Sequence, residues 1–391
     1  MRLTDHEYNR LLLLKKLRAS EPVSRTDLIG LTGLTGGTIT AITAQMLAKG
    51  LVVEERSPER GTGRPRMDLR INPRGRYVLG ATPTADGRLI TQILNLRGEC
   101  MESFTDELPA VTTLEKLAEN VAGILGRVLS AASIEKAAIF RAVIGLPGVV
   151  DNEKGVVSYI ASFDPGVFPF AEAVEQAIGI PTLVDNGTNL LARAEYWFGA
   201  GGLSDDFTLL SVDLGIGAAL YKSGQLVTGV HGIEAEFGHI KMVPAVGRPC
   251  HCGGTGCLQT YCSMNAVIEQ FCANEGVEMP DVLSMRGFFE DLMTRYAAGS
   301  QAIERYLLEA CHYLGVAVAN HITMQDPETI VILGPELPNF SQFRGAFVTS
   351  LSRSVYPSFR GRTRVHFKVK DENMYGQGAV AMALERVFIE R

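Results

Sequence analysis

The sequence of 391 residues has no uninterrupted apolar run of about 18 residues, so it lacks a candidate membrane-spanning helix. A run of leucines at 11–14 is followed at once by Lys15 and Lys16, which excludes the apolar region of a secretory signal. The sequence therefore predicts a soluble, cytoplasmic protein that does not insert into a membrane.

Low-complexity segments are also missing, and the composition is ordinary for a folded protein. Hydrophobic residues make up 46% of the chain and charged residues 20%, which excludes a chain that is mainly disordered. The length allows two or three domains and excludes a small scaffold held together by disulfides.

The formal net charge of −6 is unevenly distributed along the chain. Residues 1–76 contain 14 Lys and Arg against 8 Asp and Glu, so this segment carries +6 and the remainder carries −12. Clustered cations favour a polyanionic partner, because each phosphate contact releases counterions. The N-terminal segment is therefore predicted to contact nucleic acid, and a chance asymmetry is the alternative.

The first 72 residues have the pattern of a winged helix-turn-helix DNA-binding domain. Apolar residues at helical spacing predict helices at 4–18, 24–33 and 35–49, and the last two are joined by a tight turn at Gly33. Residues 51–55 and 67–71 predict a hairpin, the wing, and a turn-rich linker follows. A helical module that binds a protein is the alternative.

Candidate DNA contacts lie at the start of the recognition helix and in the wing. Small residues at that helix start allow close approach to base edges. They are Thr35, Gly36, Gly37, Thr38 and Thr40, and Arg25 begins the preceding helix.

The wing carries Arg60, Arg64 and Arg66 beside glycine and proline, a composition that favours the narrow minor groove of A·T-rich DNA. The predicted partner is an inverted-repeat double-stranded DNA operator with A·T-rich flanks. It would be bound by a homodimer, with a tetramer as a further assembly that the sequence leaves open. Arginines that only neutralise phosphates are the alternative.

Beyond residue 76, two segments share one layout. Residues 77–99 and 207–229 each have the pattern strand, glycine-containing bend, strand, polar turn, strand, followed by helical patterns and further buried strands. This duplication predicts two α/β lobes with a cleft between them.

Cysteine is scarce, with seven in the chain, but four of the seven lie within thirteen residues. His239 precedes a C-x-C-x4-C segment, and cysteines two residues apart form a disulfide only with strain. Three thiolates and one imidazole complete a tetrahedral site, so a structural Zn²⁺ held by His239, Cys250, Cys252 and Cys257 is predicted. A redox-active cysteine cluster is the alternative. The other cysteines, Cys100, Cys262, Cys272 and Cys311, are predicted to lie in the core.

Together these residues resemble the ROK family, and specifically its transcriptional regulators of the NagC, Mlc and XylR type. The resemblance spans nearly the whole chain. It is carried by residues 23–28 (VSRTDL), 63–65 (GRP), 145–151 (GLPGVVD), 194–199 (AEYWFG), 236–239 (EFGH) and the cysteine cluster followed by Leu258.

The resemblance implies an N-terminal winged helix-turn-helix and a two-lobed, actin-like (ribonuclease H-like) sugar-kinase fold. The cleft would hold a sugar or sugar phosphate, and the zinc site would organise one wall. The implied domains are 1–72 for the DNA-binding domain, 77–190 with 374–391 for the first lobe, and 191–373 for the second lobe with the dimerisation surface.

Three catalytic elements of ROK kinases are altered. Residues 80–84 (GATPT) lack the acidic residue of the D-x-G-x-T loop, Gly187 stands where N-D-x-N has its catalytic Asp, and 213–219 (DLGIGAA) replaces G-T-G-x-G-G-G. Losing a general base costs about 100- to 10,000-fold in rate. Asp213 is further expected to repel a polyphosphate. The resemblance therefore implies a protein that is not an enzyme.

On the sugar side, the resemblance implies that Asn186, Glu236 and His239 hold sugar hydroxyls, and Gln259 replaces the usual Glu. His239 would bind zinc through one ring nitrogen and face the effector with the other. Surface exposure of Glu236 and Gln259 without a ligand is the alternative. The predicted function is a sugar-responsive repressor of carbohydrate metabolism genes, and the alternatives are an active ROK sugar kinase or a regulator controlled by a protein partner.

Overall fold

The computed structural model describes residues 4–57, 67–161, 163–199, 204–229, 232, 235–337, 340–371 and 373–387. Twelve α-helices lie within these residues: α1 Asp5–Ser20, α2 Arg25–Thr32, α3 Gly36–Ala48, α4 Leu114–Ala131, α5 Phe170–Ile178, α6 Gly187–Phe198, α7 Gln259–Cys262, α8 Met264–Glu275, α9 Met285–Ala297, α10 Glu304–Gln325, α11 Phe340–Ser354 and α12 Asn373–Val387.

The strands of the same residues form four sheets. They are β1 Val23–Ser24, β2 Val52–Arg56, β3 Met67–Ile71, β4 Tyr77–Pro83, β5 Arg88–Asn95, β6 Cys100–Glu107, β7 Ile139–Leu146, β8 Val149–Asp151, β9 Val156–Tyr159, β10 Thr182–Asn186, β11 Phe207–Val212, β12 Ile216–Lys222, β13 Gln225–Leu226, β14 Thr329–Gly334 and β15 Arg364–Val369.

An N-terminal module comprises α1 to β3. Thr4, Ser24 and Thr35 cap its three helices by accepting a backbone N–H three residues on, as expected for helix N-termini. Strands β1, β3 and β2 form an antiparallel sheet. The predicted helices and hairpin strands are confirmed, whereas the hairpin tip with Arg60, Arg64 and Arg66 lies outside the described residues.

The two remaining large sheets have the same topology. The first has the order β10-β7-β4-β5-β6 and the second β13-β12-β11-β14-β15, so each lobe places its five strands in the order 3-2-1-4-5. In both, the first three strands are antiparallel and the last two run parallel to the first. The predicted duplication of an α/β unit is confirmed.

The glycine-containing bend predicted within residues 77–83 of the first lobe is wrong. Gly80 does not bend the chain but lies inside the uninterrupted strand β4, and the polar turn at 84–87 separates the first and second strands. A Cβ at Gly80 would lie 3.3 Å from both Ala379 Cβ and Gly376 Cα of α12. The glycine therefore permits close approach of α12 to the sheet.

Helix α6 lies between the lobes. It packs along α12 and contacts β7 and β10 of the first sheet and β11 and β12 of the second. The predicted lobe boundary between residues 190 and 191 falls within α6, so one continuous helix crosses it.

The N-terminal module is joined to the first lobe by shared apolar packing. A single buried cluster contains Leu13 and Ile39 of the module, Leu96 of the first lobe, Trp197 of α6 and Leu384 of α12. The module and the first lobe therefore share one core.

Cys100 was wrongly predicted to be buried. It begins β6, an edge strand of the first sheet, and is exposed, whereas Cys262 and Cys272 are buried and Cys311 is partly buried. Among the described residues, no helix combines the length and apolar composition needed to cross a lipid bilayer.

Candidate functional site: a four-ligand cluster and its neighbours

His239, Cys250, Cys252 and Cys257 come together in the second lobe, and we call them the four-ligand cluster. Their ligand atoms all lie within 4.8 Å of one another. The Sγ atoms of Cys252 and Cys257 are 3.7 Å apart, and Cys250 Sγ lies 3.7 Å from His239 Nδ1. A tetrahedral zinc site places such ligand atoms about 3.5 to 3.8 Å apart, so the cluster can hold a metal ion.

The loop that carries the cysteines needs glycine to close. Gly256 has φ +70°, and a Cβ there would lie 1.9 Å from the Val243 carbonyl oxygen. The Met242 N–H donates to the Gly256 carbonyl at 2.8 Å, and Lys241 pairs with Cys257 across an isolated antiparallel bridge. Because only glycine fits at residue 256, the chain can bring the Cys257 thiolate back to His239.

Hydrogen-bond donors surround the sulfurs. Lys241 Nζ lies 2.9 Å from Cys257 Sγ, and Gln259 Nε2 donates to Cys250 Sγ at 3.1 Å. A backbone hydrogen bond from Gly254 lowers the pKa of the Cys252 thiol, whereas burial raises the pKa of Cys250. Donors and a lysine charge favour thiolates, the form that binds metal.

Three of the four predicted effector residues lie at this cluster. His239 turns Nδ1 to Cys250 and Nε2 to Glu236, whose Oε2 is 3.8 Å away. Gln259 is buried with a relative exposure of 7%, which contradicts the alternative of a surface position, while Glu236 is exposed. Although the residue is exposed, partial desolvation of its carboxyl raises the pKa of Glu236, and the nearby His251 opposes that change.

His251 is a member of the group that sequence reasoning missed. Its Nε2 lies 2.7 Å from Gln259 Nε2, and its ring centroid is 5.4 Å from that of His239 at 84°. The signal in the sequence was its place between Cys250 and Cys252. Lys241, two residues after His239, was missed in the same way.

Asn186, the fourth predicted effector residue, lies at the start of α6 and makes its hydrogen bonds there. It caps α6, where its Oδ1 accepts from Thr188 N–H at 2.8 Å and its Nδ2 donates to the Gly148 carbonyl at 2.8 Å. Within the described part of the chain, no hydrogen bond links Asn186 to Glu236 or Gln259. One lone pair and one N–H of its amide remain for a ligand.

Gly187, which the resemblance places where ROK kinases have their catalytic Asp, lies at the start of α6. A Cβ there would lie 3.5 Å from the Tyr375 ring. The adjacent Asp185 is fully buried, and its carboxylate accepts from Arg193, from Asn152 at 2.9 Å and from Asn189 at 2.8 Å. Asp185 therefore has no exposed oxygen to serve the cleft as a base.

Asp213, which was expected to repel a polyphosphate, is not an unpaired anion. Its carboxylate pairs with Arg286 at 2.6 Å and with Lys370, so two cations face one anion. Burial alone raises the pKa of Asp213, but Lys370 and Arg286 together lower it below its ordinary value. The Leu214 N–H also donates to this carboxylate at 2.8 Å. The sequence did not show these partners, because they lie 73 and 157 residues away.

The candidate DNA contacts of α3 are accessible. Thr35, Gly36, Gly37 and Thr40 are exposed and Thr38 is partly exposed. In contrast, Arg25 is engaged inside the module, where its Nε donates to Thr43 Oγ1 at 2.9 Å and its guanidinium pairs with Glu54.

Two cavities lie away from the four-ligand cluster. One of about 340 Å³ is lined mainly by apolar side chains of the second lobe, including Phe289, Phe343 and Phe347. The other, of about 600 Å³, lies between the lobes, with Asp86 on one side and Arg286 on the other. None of the four predicted effector residues lines either cavity, so their assignment rests on side-chain chemistry.

Two α/β lobes of identical strand order, with α6 between them, form a sugar-kinase-like fold. The crystal structure of a ROK family glucokinase from Streptomyces griseus shares it, with a TM-score of 0.64 and 23% identity over 78% of this chain and 98% of that one. The sequence profile of the ROK family matches residues 91–386. The chain belongs to the ROK family.

Similar proteins include both regulators and a kinase. The xylose repressor of Caldicellulosiruptor bescii is 27% identical over 83% of this chain and 82% of its own length. The DNA-binding transcriptional dual regulator NagC of Escherichia coli is 26% identical over 80% of this chain and 77% of its own. The glucokinase of Halalkalibacterium halodurans is 30% identical, over 55% of this chain and 67% of its own.

A crystal structure of a ROK family transcriptional regulator, described as a homologue of the Escherichia coli Mlc protein, matches nearly the whole chain. The TM-score is 0.80 and the identity 25%, covering 97% of this chain and 96% of that one. The similarity therefore includes the N-terminal module, which precedes residue 91.

Proposed function

We propose that this protein is a DNA-binding transcriptional repressor of carbohydrate metabolism genes. Its cleft binds a sugar or sugar phosphate, and occupancy of the cleft changes its affinity for DNA. The observation that carries the proposal is the N-terminal module itself: three capped helices and a hairpin on a ROK fold. A ROK regulator matches nearly the whole chain, and proteins named as repressors match most of it.

In this proposal residues 1–72 bind DNA, residues 77–190 with 374–391 form the first lobe, and residues 191–373 form the second lobe. Helix α3 enters the major groove, and the wing with Arg64 and Arg66 contacts an adjacent minor groove. A homodimer reads an inverted repeat with A·T-rich flanks, since a two-fold protein matches a two-fold site. Arg25 reaches a phosphate only by leaving Glu54.

The glycines at the start of α3 support a surface built for close approach. A Cβ at Gly37 would meet nothing within 4 Å, and one at Gly36 would meet only Ile29 Cδ1 at 3.5 Å. Packing inside the protein therefore does not require either glycine. Glycine in a helix costs stability, so a partner outside the chain is the simplest reason for the pair.

Gly37→Ala is therefore expected to change stability and DNA binding in opposite directions. The unfolded chain loses freedom and the folded protein gains no clash, so stability should rise by about 0.4 to 1 kcal/mol. The added methyl group should weaken DNA binding about tenfold or more, because it separates α3 from the base edges. Urea unfolding and fluorescence anisotropy measure the two effects. Gly30→Ala on α2, where a Cβ also meets nothing within 4 Å, is the matched control.

We also propose that the four-ligand cluster binds a structural Zn²⁺, since three thiolates and an imidazole are its preferred donors. Bound zinc would fix the loop that carries His251 and Gln259. Glu236, His239 and Gln259 then offer polar atoms to sugar hydroxyls, and Asn186 contributes from the start of α6.

The same geometry supports a protein that is not an enzyme. Position 187 has no carboxylate, the nearby Asp185 is bound to Arg193, and Thr84 at the first phosphate loop donates within its own turn to Asp86. Without a general base, phosphoryl transfer should be at least about 100-fold slower than in a kinase. An active sugar kinase is the second candidate, because a glucokinase is 30% identical over part of the chain.

Selection of genomic DNA fragments by the purified protein tests the proposal. We expect enrichment of inverted repeats near genes of carbohydrate metabolism. In parallel, the protein is incubated with ATP and D-glucose, D-xylose or N-acetylglucosamine in a coupled assay, and no turnover is expected. Turnover of any of these sugars at a kinase-like rate, without fragment enrichment, would favour the second candidate. Enrichment of DNA with no response to any sugar would favour control by a protein partner.

A further inference from the structure

Helix α6 connects the cleft to the N-terminal module. It begins next to Asn186, a proposed effector residue, and ends at Phe198, a length of about 18 Å for its twelve residues. A Cβ at Gly378 of α12 would lie 2.1 Å from the Leu190 carbonyl oxygen, so the two helices are in close backbone contact. Because of this close packing, a shift of α6 is expected to displace α12 as well.

The last turn of α6 holds α1 of the N-terminal module. Arg18 donates a hydrogen bond to the Trp197 carbonyl, and its guanidinium carbon lies 3.9 Å from the Phe198 ring centroid. Lys15 Nζ lies 3.3 Å from the Tyr196 ring centroid. Three consecutive residues of α6 are therefore contacted by two cations of α1.

Lys15 also forms an ion pair in addition to its contact with the Tyr196 ring. Its Nζ pairs with Asp205 at 3.2 Å, and the Tyr196 hydroxyl donates to the same carboxylate oxygen at 2.7 Å. Cation–ring contacts of this kind are directional. A rotation or shift at the end of α6 would therefore change the position of α1.

The beginning and the end of α6 are connected by ion pairs and hydrogen bonds, largely shielded from solvent, among Asp185, Arg193, Glu385 and Trp197, which we call the Arg193 network. Asp185 accepts from the backbone N–H of Asn186 at 2.7 Å and from Arg193. Arg193 Nε donates to Glu385 at 2.8 Å, and Trp197 Nε1 donates to the other oxygen of Glu385 at 2.9 Å. The path from Asn186 to Trp197 is continuous.

We propose that α6 transmits occupancy of the cleft to the DNA-binding module, with Arg193, Trp197 and Arg18 as positioning residues. The inference rests on the proposed function, because it names how that function is regulated. A ligand that moves the start of α6 relative to the sheets shifts Trp197 through the Arg193 network. Arg18 and Lys15 then move α1, and with it the recognition helix. Two arrangements of α6 with different affinities for the ligand are sufficient for this coupling.

Hydrogen exchange tests the inference without a ligand or DNA. Arg18→Met removes the contacts to Trp197 and Phe198 while it retains most of the side-chain length, and Lys15→Met is the second variant. Lys16→Met is the matched control, because Lys16 makes no hydrogen bond or ion pair with any described residue. We expect exchange of the amides of residues 188–195 to rise about threefold or more in both test variants and to stay unchanged in the control.

The inference would be contradicted if the substitutions changed hydrogen exchange only near the substituted residues. Exchange that rises only in α1 and at residues 196–199, with 188–195 unchanged in both test variants, would show that α6 does not transmit and would overturn the inference. Failure of the proposed function appears elsewhere, as an absence of DNA binding in the unaltered protein.

A second measurement follows coupling itself. The dissociation constant of a selected DNA fragment is measured with and without D-xylose, D-glucose, N-acetylglucosamine and their phosphate esters. Typical coupling between two binding sites changes the dissociation constant about 5- to 150-fold. In Arg18→Met, we expect the dissociation constants for DNA with and without the sugar to differ by no more than about twofold. Sugar affinity, followed by the fluorescence of Trp197, the single tryptophan, should stay unchanged. Arg18→Lys should recover part of this difference, and an unchanged difference in Arg18→Met would contradict the inference.

Discussion

Arg193→Met is expected to lower the free energy of unfolding by about 3 to 5 kcal/mol. The side chain is 7% exposed and pairs with Asp185, which is fully buried, and with Glu385, which is 19% exposed. Burial alone lowers the pKa of Arg193, but the two carboxylates raise it above its ordinary value, so the group is charged. Its removal leaves two anions close together in the interior without a cation.

Urea unfolding followed by Trp197 fluorescence measures this loss, because Trp197 bonds to Glu385. The matched control is Arg127→Met, since the Arg127 side chain is 65% exposed and its ion pair with Asp106 should contribute less than about 1 kcal/mol. The triple variant Arg193→Met with Asp185→Asn and Glu385→Gln should recover most of the stability. Equal losses for Arg127→Met and Arg193→Met would contradict the assignment of a buried network.

Cys257→Ser is expected to abolish stoichiometric zinc binding. The unaltered protein should contain one zinc ion per chain, and the loss of a thiolate ligand should weaken binding by more than about 100-fold. At free zinc 1,000 times the dissociation constant, bound metal stabilises the folded state by about 4.1 kcal/mol. The variant, or the unaltered protein after chelation, should therefore melt at a lower temperature.

Metal analysis of the purified proteins and thermal unfolding provide both readouts. Cys100→Ser is the matched control, because Cys100 is exposed at the start of β6 and outside the four-ligand cluster. Lys241→Met tests the donor to Cys257 and should weaken zinc binding about 10- to 100-fold without removing a ligand. Full zinc content in Cys257→Ser with an unchanged melting temperature would refute the proposed site.

Local features of this fold were predictable from the sequence. Ser24 and Asp27 form a capping box that starts α2, and a left-handed Gly33 ends it, so short-range chemistry sets both ends. The four-ligand cluster was predictable for the same reason, since three of its ligands lie within eight residues and their spacing limits the chemistry.

Long-range pairs were not predictable in this way. Asp213 looked like an unpaired anion until Arg286 and Lys370 were found beside it, because no local pattern links residues so distant in the chain. Asp185 precedes the N-cap of α6, and no local pattern indicated that it pairs with Arg193, eight residues further along the chain. His251 was not assigned a role because the cysteines on either side of it, Cys250 and Cys252, already accounted for the motif.

In the proposed function, a sugar in the cleft changes the affinity of this protein for DNA. The most direct test is a titration of a selected inverted-repeat fragment with the purified, zinc-loaded protein, followed by anisotropy at fixed salt, with and without each sugar and sugar phosphate of the panel. We predict nanomolar-range binding, with a dissociation constant of about 10⁻⁸ M or lower, and a change of about fivefold or more with one compound. A dissociation constant that is unchanged with every compound would contradict the account.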